Sequence, residues 1–105
     1  MGNPFTLEKS IMELGLSQRE ARVYLTLFHK KDFTAAEIQR LVAIPRTKVY
    51  EVITQLINKG LCTEKKIGRL KKFEVVKPDS AIDNLLTQYR DELAYKEKVR
   101  SQILD

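Results

Sequence analysis

The chain has 105 residues, 43% of them apolar and 31% charged, with a net charge of +5. That is enough apolar material for one compact domain with an appendage, and too much charge for a membrane protein. No apolar run nears the roughly 18–20 residues of a membrane span, and no basic region followed by an apolar stretch opens the chain, so no secretory signal is visible.

In chain order, Leu7, Ile11, Met12 and Leu14 predict a short helix ending at Gly15, a residue suited to a C-terminal cap. Ser17-Gln18-Arg19-Glu20 has the spacing of a capping box and opens a second helix. Ala21, Tyr24, Leu25 and Phe28 form its expected buried stripe, which stops near His29-Lys30-Lys31. The box recurs at Thr34-Ala35-Ala36-Glu37 and starts a third helix with Ile38, Leu41 and Val42 inward. Pro45 is tolerated only in a first helical turn, so the third helix ends near Val42 and a fourth runs from Pro45 to Lys59, closed by Gly60. Two strands, Leu61–Ile67 and Leu70–Val76, flank Gly68-Arg69, which fits a two-residue hairpin turn. Pro78 stops the second strand, and Asp79 or Ser80 caps a last helix reaching about Leu104. The fold class is mainly α with a small β-hairpin: a winged helix-turn-helix over residues 1–78 and a long C-terminal dimerisation helix over 79–105.

The positive charge is local. Residues 44–73 carry eight Lys and Arg against two acids, a net +6 in thirty residues, while the remainder holds eleven basic and twelve acidic residues. Such a block favours a polyanion through phosphate neutralisation. The fourth helix sorts by its 100° step. Val49, Val52, Ile53, Leu56 and Ile57 face inward. Thr47, Glu51, Thr54, Gln55 and Asn58 face outward with Lys48 at the edge, flanked by Arg46 and Tyr50. A helix fits the major groove of B-DNA and presents its first turns to base edges. Arg46 and Lys48 suit guanine or phosphate, and Thr47 suits phosphate or a thymine methyl. Glu51 accepts from cytosine or orients a neighbour. Lys65, Lys66, Arg69, Lys71 and Lys72 crowd the hairpin, where like charges repel unless an anion meets them. Thr34, at a helix N-terminus, is a further phosphate seat. The reading is a sequence-specific regulator of double-stranded DNA, with recognition helix 45–59 in the major groove and basic wing 61–76 on backbone or minor groove.

On the last helix, Ile82, Leu85, Leu86, Tyr89, Leu93, Val99 and Ile103 form a stripe interrupted by Lys96 and Arg100. It predicts an imperfect coiled coil and a homodimer, with reading helices about one DNA turn, ~34 Å, apart.

Leu14-Gly15-Leu16-Ser17, Glu20-Ala21, Val23-Tyr24, the run Ile44-Pro45-Arg46-Thr47-Lys48-Val49-Tyr50-Glu51-Val52 and Asn58-Lys59-Gly60-Leu61 resemble the DNA-binding domain of the TrmB-like archaeal and bacterial transcriptional regulators. The resemblance covers about residues 7 to 78. It implies a repressor or activator with Arg46, Thr47, Lys48 and Tyr50 at the DNA surface, and a cytoplasmic, nucleoid-associated place in a prokaryote, archaeal rather than bacterial. Many members add a sugar-binding domain, which this sequence does not contain, so no small-molecule effector is carried over.

No catalytic or metal constellation is expected. His29 is the only histidine, at a helix end, and Cys62 the only cysteine, read as a small buried hydrophobe. No cofactor and no enzyme activity are expected. Two alternatives share the fold: a protein-interaction module of a larger transcription assembly, and a sequence-nonspecific chromatin protein.

Overall fold

Two capping boxes place the helices that frame the body. The computed structural model describes residues 4–105, with side chains from Leu7 onward, and runs α1 (Pro4–Glu13), α2 (Gln18–Thr26), a 3-10 turn (Leu27–His29), α3 (Ala35–Val42), α4 (Arg46–Asn58), β1 (Cys62–Ile67), β2 (Leu70–Val75) and α5 (Pro78–Leu104). At α2 the Ser17 hydroxyl accepts from the Glu20 N–H at 3.1 Å, and the Ser17 N–H donates to Glu20 Oε1 at 2.7 Å. At α3 the Thr34 hydroxyl accepts from the Glu37 N–H at 3.2 Å, and the Thr34 N–H donates to Glu37 Oε1 at 2.9 Å. Each box satisfies two backbone donors that a helix start otherwise leaves bare. The start of α5 differs from the expected cap at Asp79 or Ser80: Lys77 is the N-cap and Pro78 the first helical residue, where its missing N–H removes no bond.

The core gathers where α2, α3 and α4 meet the root of the hairpin. From α4 it takes Val49, Val52, Ile53 and Leu56, with Ile57 half-buried. The stripe expected on α2 is rotated. Ala21 and Tyr24 are buried, but Val23 and Leu27 join the core while Leu25 is only half-buried and Phe28 is exposed. The helix stops at Thr26, and a 3-10 turn steps about 120° per residue instead of 100°, which swings Leu27 in and Phe28 out. Leu41, expected inward, is 63% exposed. Val42, a full turn after Ile38, packs against the core in its place.

The hairpin is antiparallel, with Lys65 opposite Lys72, Lys66 opposite Lys71 and Ile67 opposite Leu70. Gly68 sits at φ +63 and Arg69 keeps a negative φ, the pattern of a type II′ turn, whose twist matches that of the strands. Phe33 exchanges two backbone hydrogen bonds with Phe73, at 2.9 and 2.7 Å, and so ties the hairpin root to the body. Glu20, only 3% exposed, receives Lys59 Nζ at 2.8 Å, which locks the C-terminal end of α4 to the start of α2.

The first turns of α5 belong to the packed body, because Ala81 and Leu85 are buried. The Tyr89 hydroxyl donates to the Leu14 carbonyl, and Gln88 donates to the Asn58 carbonyl at 2.9 Å. Gly15, at φ +103, makes the close approach of Tyr89 possible, since a Cβ there would lie 2.1 Å from the Tyr89 oxygen. Beyond Tyr89 the helix projects from the body. The radius of gyration is 16.0 Å, against about 13 Å for a compact chain of this length.

One buried side-chain polar atom lacks a partner among the described residues: the Tyr24 hydroxyl, whose pKa burial raises. Tyr24→Phe keeps the edge-on ring packing against Phe28, with centroids 5.1 Å apart, and removes the orphan group. Thermal melts are expected to show stability unchanged or raised by up to about 1 kcal/mol. A loss of that size would reveal a partner for the hydroxyl.

Candidate nucleic-acid interface

Three helix starts in one small fold are treated differently. Those of α2 and α3 are filled by the chain's own carboxylates, Glu20 and Glu37. That of α4 has Pro45 as N-cap, no side-chain cap and no acid in its first turn. Arg46, Thr47 and Lys48 stand there instead. Cations at a helix N-terminus oppose the helix dipole, and its bare N–H groups attract an anion. The start of α4 is therefore electropositive and open.

Along the same helix Arg46, Thr47, Lys48, Tyr50, Glu51, Thr54, Gln55 and Asn58 are all exposed. Lys48 Nζ lies 3.3 Å from the Glu51 carboxylate one turn on. Lys48 is thus within ion-pair reach of Glu51, one of the neighbours that Glu51 was expected to orient. Two shallow clefts border the helix. One of about 770 Å³ lies between α3 and α4 and is lined by Gln39, Arg40, Arg46 and Tyr50. The other, about 220 Å³, is lined by Arg19, Lys48, Glu51 and Gln55. Arg19 and Arg40 thus add two cations beside the outward face that the sequence reading missed. Their spacing in the chain carries no sign of it, since each comes from a different helix.

The wing is two-faced. Lys65 and Lys72, cross-strand partners, share one acid: Asp32 lies 3.6 Å from Lys65 Nζ and 3.2 Å from Lys72 Nζ. Partial burial resists ionisation of Asp32, but the two ammonium groups outweigh it and hold its pKa below the usual carboxylate value. Lys66 and Lys71 are likewise opposite each other, yet both are exposed and make no ion pair among the described residues, as does Arg69 in the turn. Directly opposed like charges destabilise a hairpin. Asp32 relieves one pair and leaves the other facing outward. The sequence grouped all five cations together; the fold fastens two of them to the body and leaves three exposed and without an ion pair among the described residues.

Thr34 is placed differently from the phosphate seat foreseen for it. Its hydroxyl and N–H are engaged by Glu37, whose carboxyl is held down to about 2 by hydrogen bonds from Lys30 and Thr34. A phosphate there would meet a carboxylate. On α5, Leu85 is in the chain's own core and Ile82, Leu86 and Tyr89 are half-buried against it, while Leu93 and Ile103 are exposed and Val99 is half-exposed. The Cys62 thiol is buried, which pushes its pKa up to about 11, and no group of three potential metal ligands comes together among the described residues.

A short helix, a tight turn, a second helix with an outward polar face and an adjoining cationic hairpin define a winged helix-turn-helix, a fold of transcriptional regulators. The family follows from sequence: the model described as sugar-specific transcriptional regulator TrmB matches residues 11–79, well over half of the chain. The chain belongs to the TrmB family of winged helix-turn-helix transcriptional regulators, a family of regulators and not of enzymes. The DNA-binding HTH-type transcriptional repressor TrmBL2 of Thermococcus kodakarensis is 24% identical over 94 residues, which make up 86% of this chain and 35% of that relative. The structure of TrmBL2, an archaeal chromatin protein with a novel mode of DNA binding, is similar with a TM-score of 0.76 at 23% identity, over 97% of this chain and 40% of that one. A second transcriptional regulator gives a TM-score of 0.78 at 15% identity, over 94% of this chain and 71% of that one. At these identities the structures speak for the fold. No helix among the described residues is long and apolar enough to cross a membrane.

Proposed function

We propose that the chain binds double-stranded DNA as a sequence-reading transcriptional regulator, with α4 in the major groove and the wing on the backbone or minor groove. The observation that carries this reading is the open, cationic start of α4, in a fold that caps its other two interior helices with carboxylates. The outward face of α4 supports it, being hydrogen-bonding throughout with Tyr50 its one exposed aromatic; a protein-docking helix calls for a larger apolar patch. The reading includes a homodimer joined through the projecting half of α5, by Leu93, Val99 and Ile103. It places the protein on the nucleoid of a prokaryotic cytoplasm, with no catalytic activity, no cofactor and no small-molecule effector bound by this chain.

A second reading, sequence-nonspecific coating of DNA, is favoured by the likeness to an archaeal chromatin protein. Selection of bound duplexes from a random pool at fixed salt separates the two. A reader enriches a pseudo-palindrome with half-sites about one turn apart, whereas a coating protein enriches nothing. The wing has its own readout. Lys66→Ala/Lys71→Ala is expected to flatten the dependence of log affinity on log salt by up to about two units. Lys65→Ala/Lys72→Ala is expected to change it less, because Asp32 holds both ammonium groups and already offsets one of their two charges. Equal slopes for the two double variants would overturn the two-faced wing.

A further inference from the structure

The tip of the wing carries two apolar side chains that the fold leaves in water. Ile67 and Leu70 are cross-strand partners on either side of the Gly68-Arg69 turn, and they expose 55% and 48% of their surfaces. Nothing in the fold needs them there. The core ends at Phe73 on β2 and Cys62 on β1, and polar residues at a hairpin tip normally serve solubility. A type II′ turn keeps the tip narrow, and two strand side chains held in register make it stiff.

What surrounds the pair selects its partner. Lys65 and Lys72 lie one rung below on the same face, Lys66 and Lys71 lie on the opposite face, and Arg69 sits in the turn. An apolar tip ringed by cations fits a cleft with anionic walls and a less polar floor. The minor groove of duplex DNA has that form: about 6 Å wide, walled by phosphates and floored by sugars and base edges. Apolar side chains of this size act there as wedges, partly unstacking a base step and bending the duplex.

We propose that Ile67 and Leu70 form an apolar wedge that enters the minor groove and bends the DNA, while Arg69, Lys66 and Lys71 hold the phosphate walls. This inference rests on the reading of the wing as a DNA contact. It follows that the wedge's share of affinity is insensitive to salt, and that flexible pyrimidine–purine steps are favoured under the wing without any base-specific hydrogen bond.

The test uses the full chain and a duplex of about 30 base pairs with a central TA step, labelled at both ends so that energy transfer reports the bend. Ile67→Thr/Leu70→Thr keeps strand propensity and removes the apolar bulk. It is expected to lose the bend and about tenfold in affinity with an unchanged salt slope. The volume-conserving Ile67→Leu/Leu70→Ile variant is expected to keep both, which sets a wedge apart from a general disturbance of the hairpin. A Thr variant that bends and binds like the parent overturns the wedge. If Lys66→Ala/Lys71→Ala flattens the slope in the same assay, only the wedge has failed; if it does not, the DNA reading of the wing has failed with it. A Thr variant that keeps its DNA bend but loses binding to phosphatidylglycerol vesicles overturns the wedge in favour of a membrane contact.

Discussion

Replacing Lys59 with Met is expected to lower stability by about 3–5 kcal/mol, the range for breaking a buried ion pair by removing one partner. That corresponds to a fall in Tm on the order of 15–30 °C for a domain of this size. The reason lies in what is left behind. Glu20 is 3% exposed, and its Oε1 accepts from the Ser17 N–H at 2.7 Å and from Lys59 Nζ at 2.8 Å. Without the ammonium, an enclosed carboxylate keeps its cap bond and loses its counter-charge. Glu20→Gln costs less, because the amide oxygen still caps α2 and Lys59, half-buried at the surface, regains water. Combining Glu20→Gln with Lys59→Met is expected to recover most of the loss, since neither charge is then stranded and the amide oxygen still caps α2. Urea unfolding of the four chains in a double-mutant cycle measures the coupling directly. A Lys59→Met loss below about 1 kcal/mol would mean that water reaches Glu20 and that the pair is a surface one. The pair also bears on function, because it fixes the far end of α4, and with it the angle at which the outward face meets a groove.

Most of the local structure was legible because it is set by neighbours in sequence. Both capping boxes, the stop at Gly60, the turn at Gly68 and the two sides of α4 follow from spacings of two to four residues, and each is present in the fold. What escaped were consequences of distant pairing. Asp32 sits forty residues from Lys72 and Glu20 thirty-nine from Lys59, so neither the fastening of the wing nor the lock on α4 leaves a trace in any local pattern. The misread stripe on α2 had a different cause: a 3.6-residue period was carried through Leu27 and Phe28, where the chain tightens to a 3-10 turn. The stripe on α5 reads as one seam by periodicity alone. Only the fold divides it into a half that packs on its own body through Leu85 and Tyr89 and a half that projects with Leu93 and Ile103 exposed.

Arg46→Ala is expected to reduce affinity for a selected duplex by about 5- to 150-fold, the 1–3 kcal/mol of a good bidentate contact to a base. Arg46 is exposed, stands in the first turn of a helix without a cap, and has no acid paired to it among the described residues. Its charge is therefore available in full. Lys48 is not in the same position, because Glu51 stands 3.3 Å from its ammonium, so Lys48→Ala is expected to cost less than Arg46→Ala. Glu51→Gln releases Lys48 and removes a charge that repels phosphate; tighter binding to all duplexes, with a steeper salt dependence, is the expected result. The pattern of loss across sequences then identifies what Arg46 touches. A loss concentrated at one base position, seen as relaxed preference when selection is repeated with the variant, marks a base contact. An even loss across sequences with a slope flatter by about one unit marks a phosphate clamp and favours the coating mode. Unchanged affinity would remove the start of α4 from the interface, and with it the reason for leaving that helix uncapped.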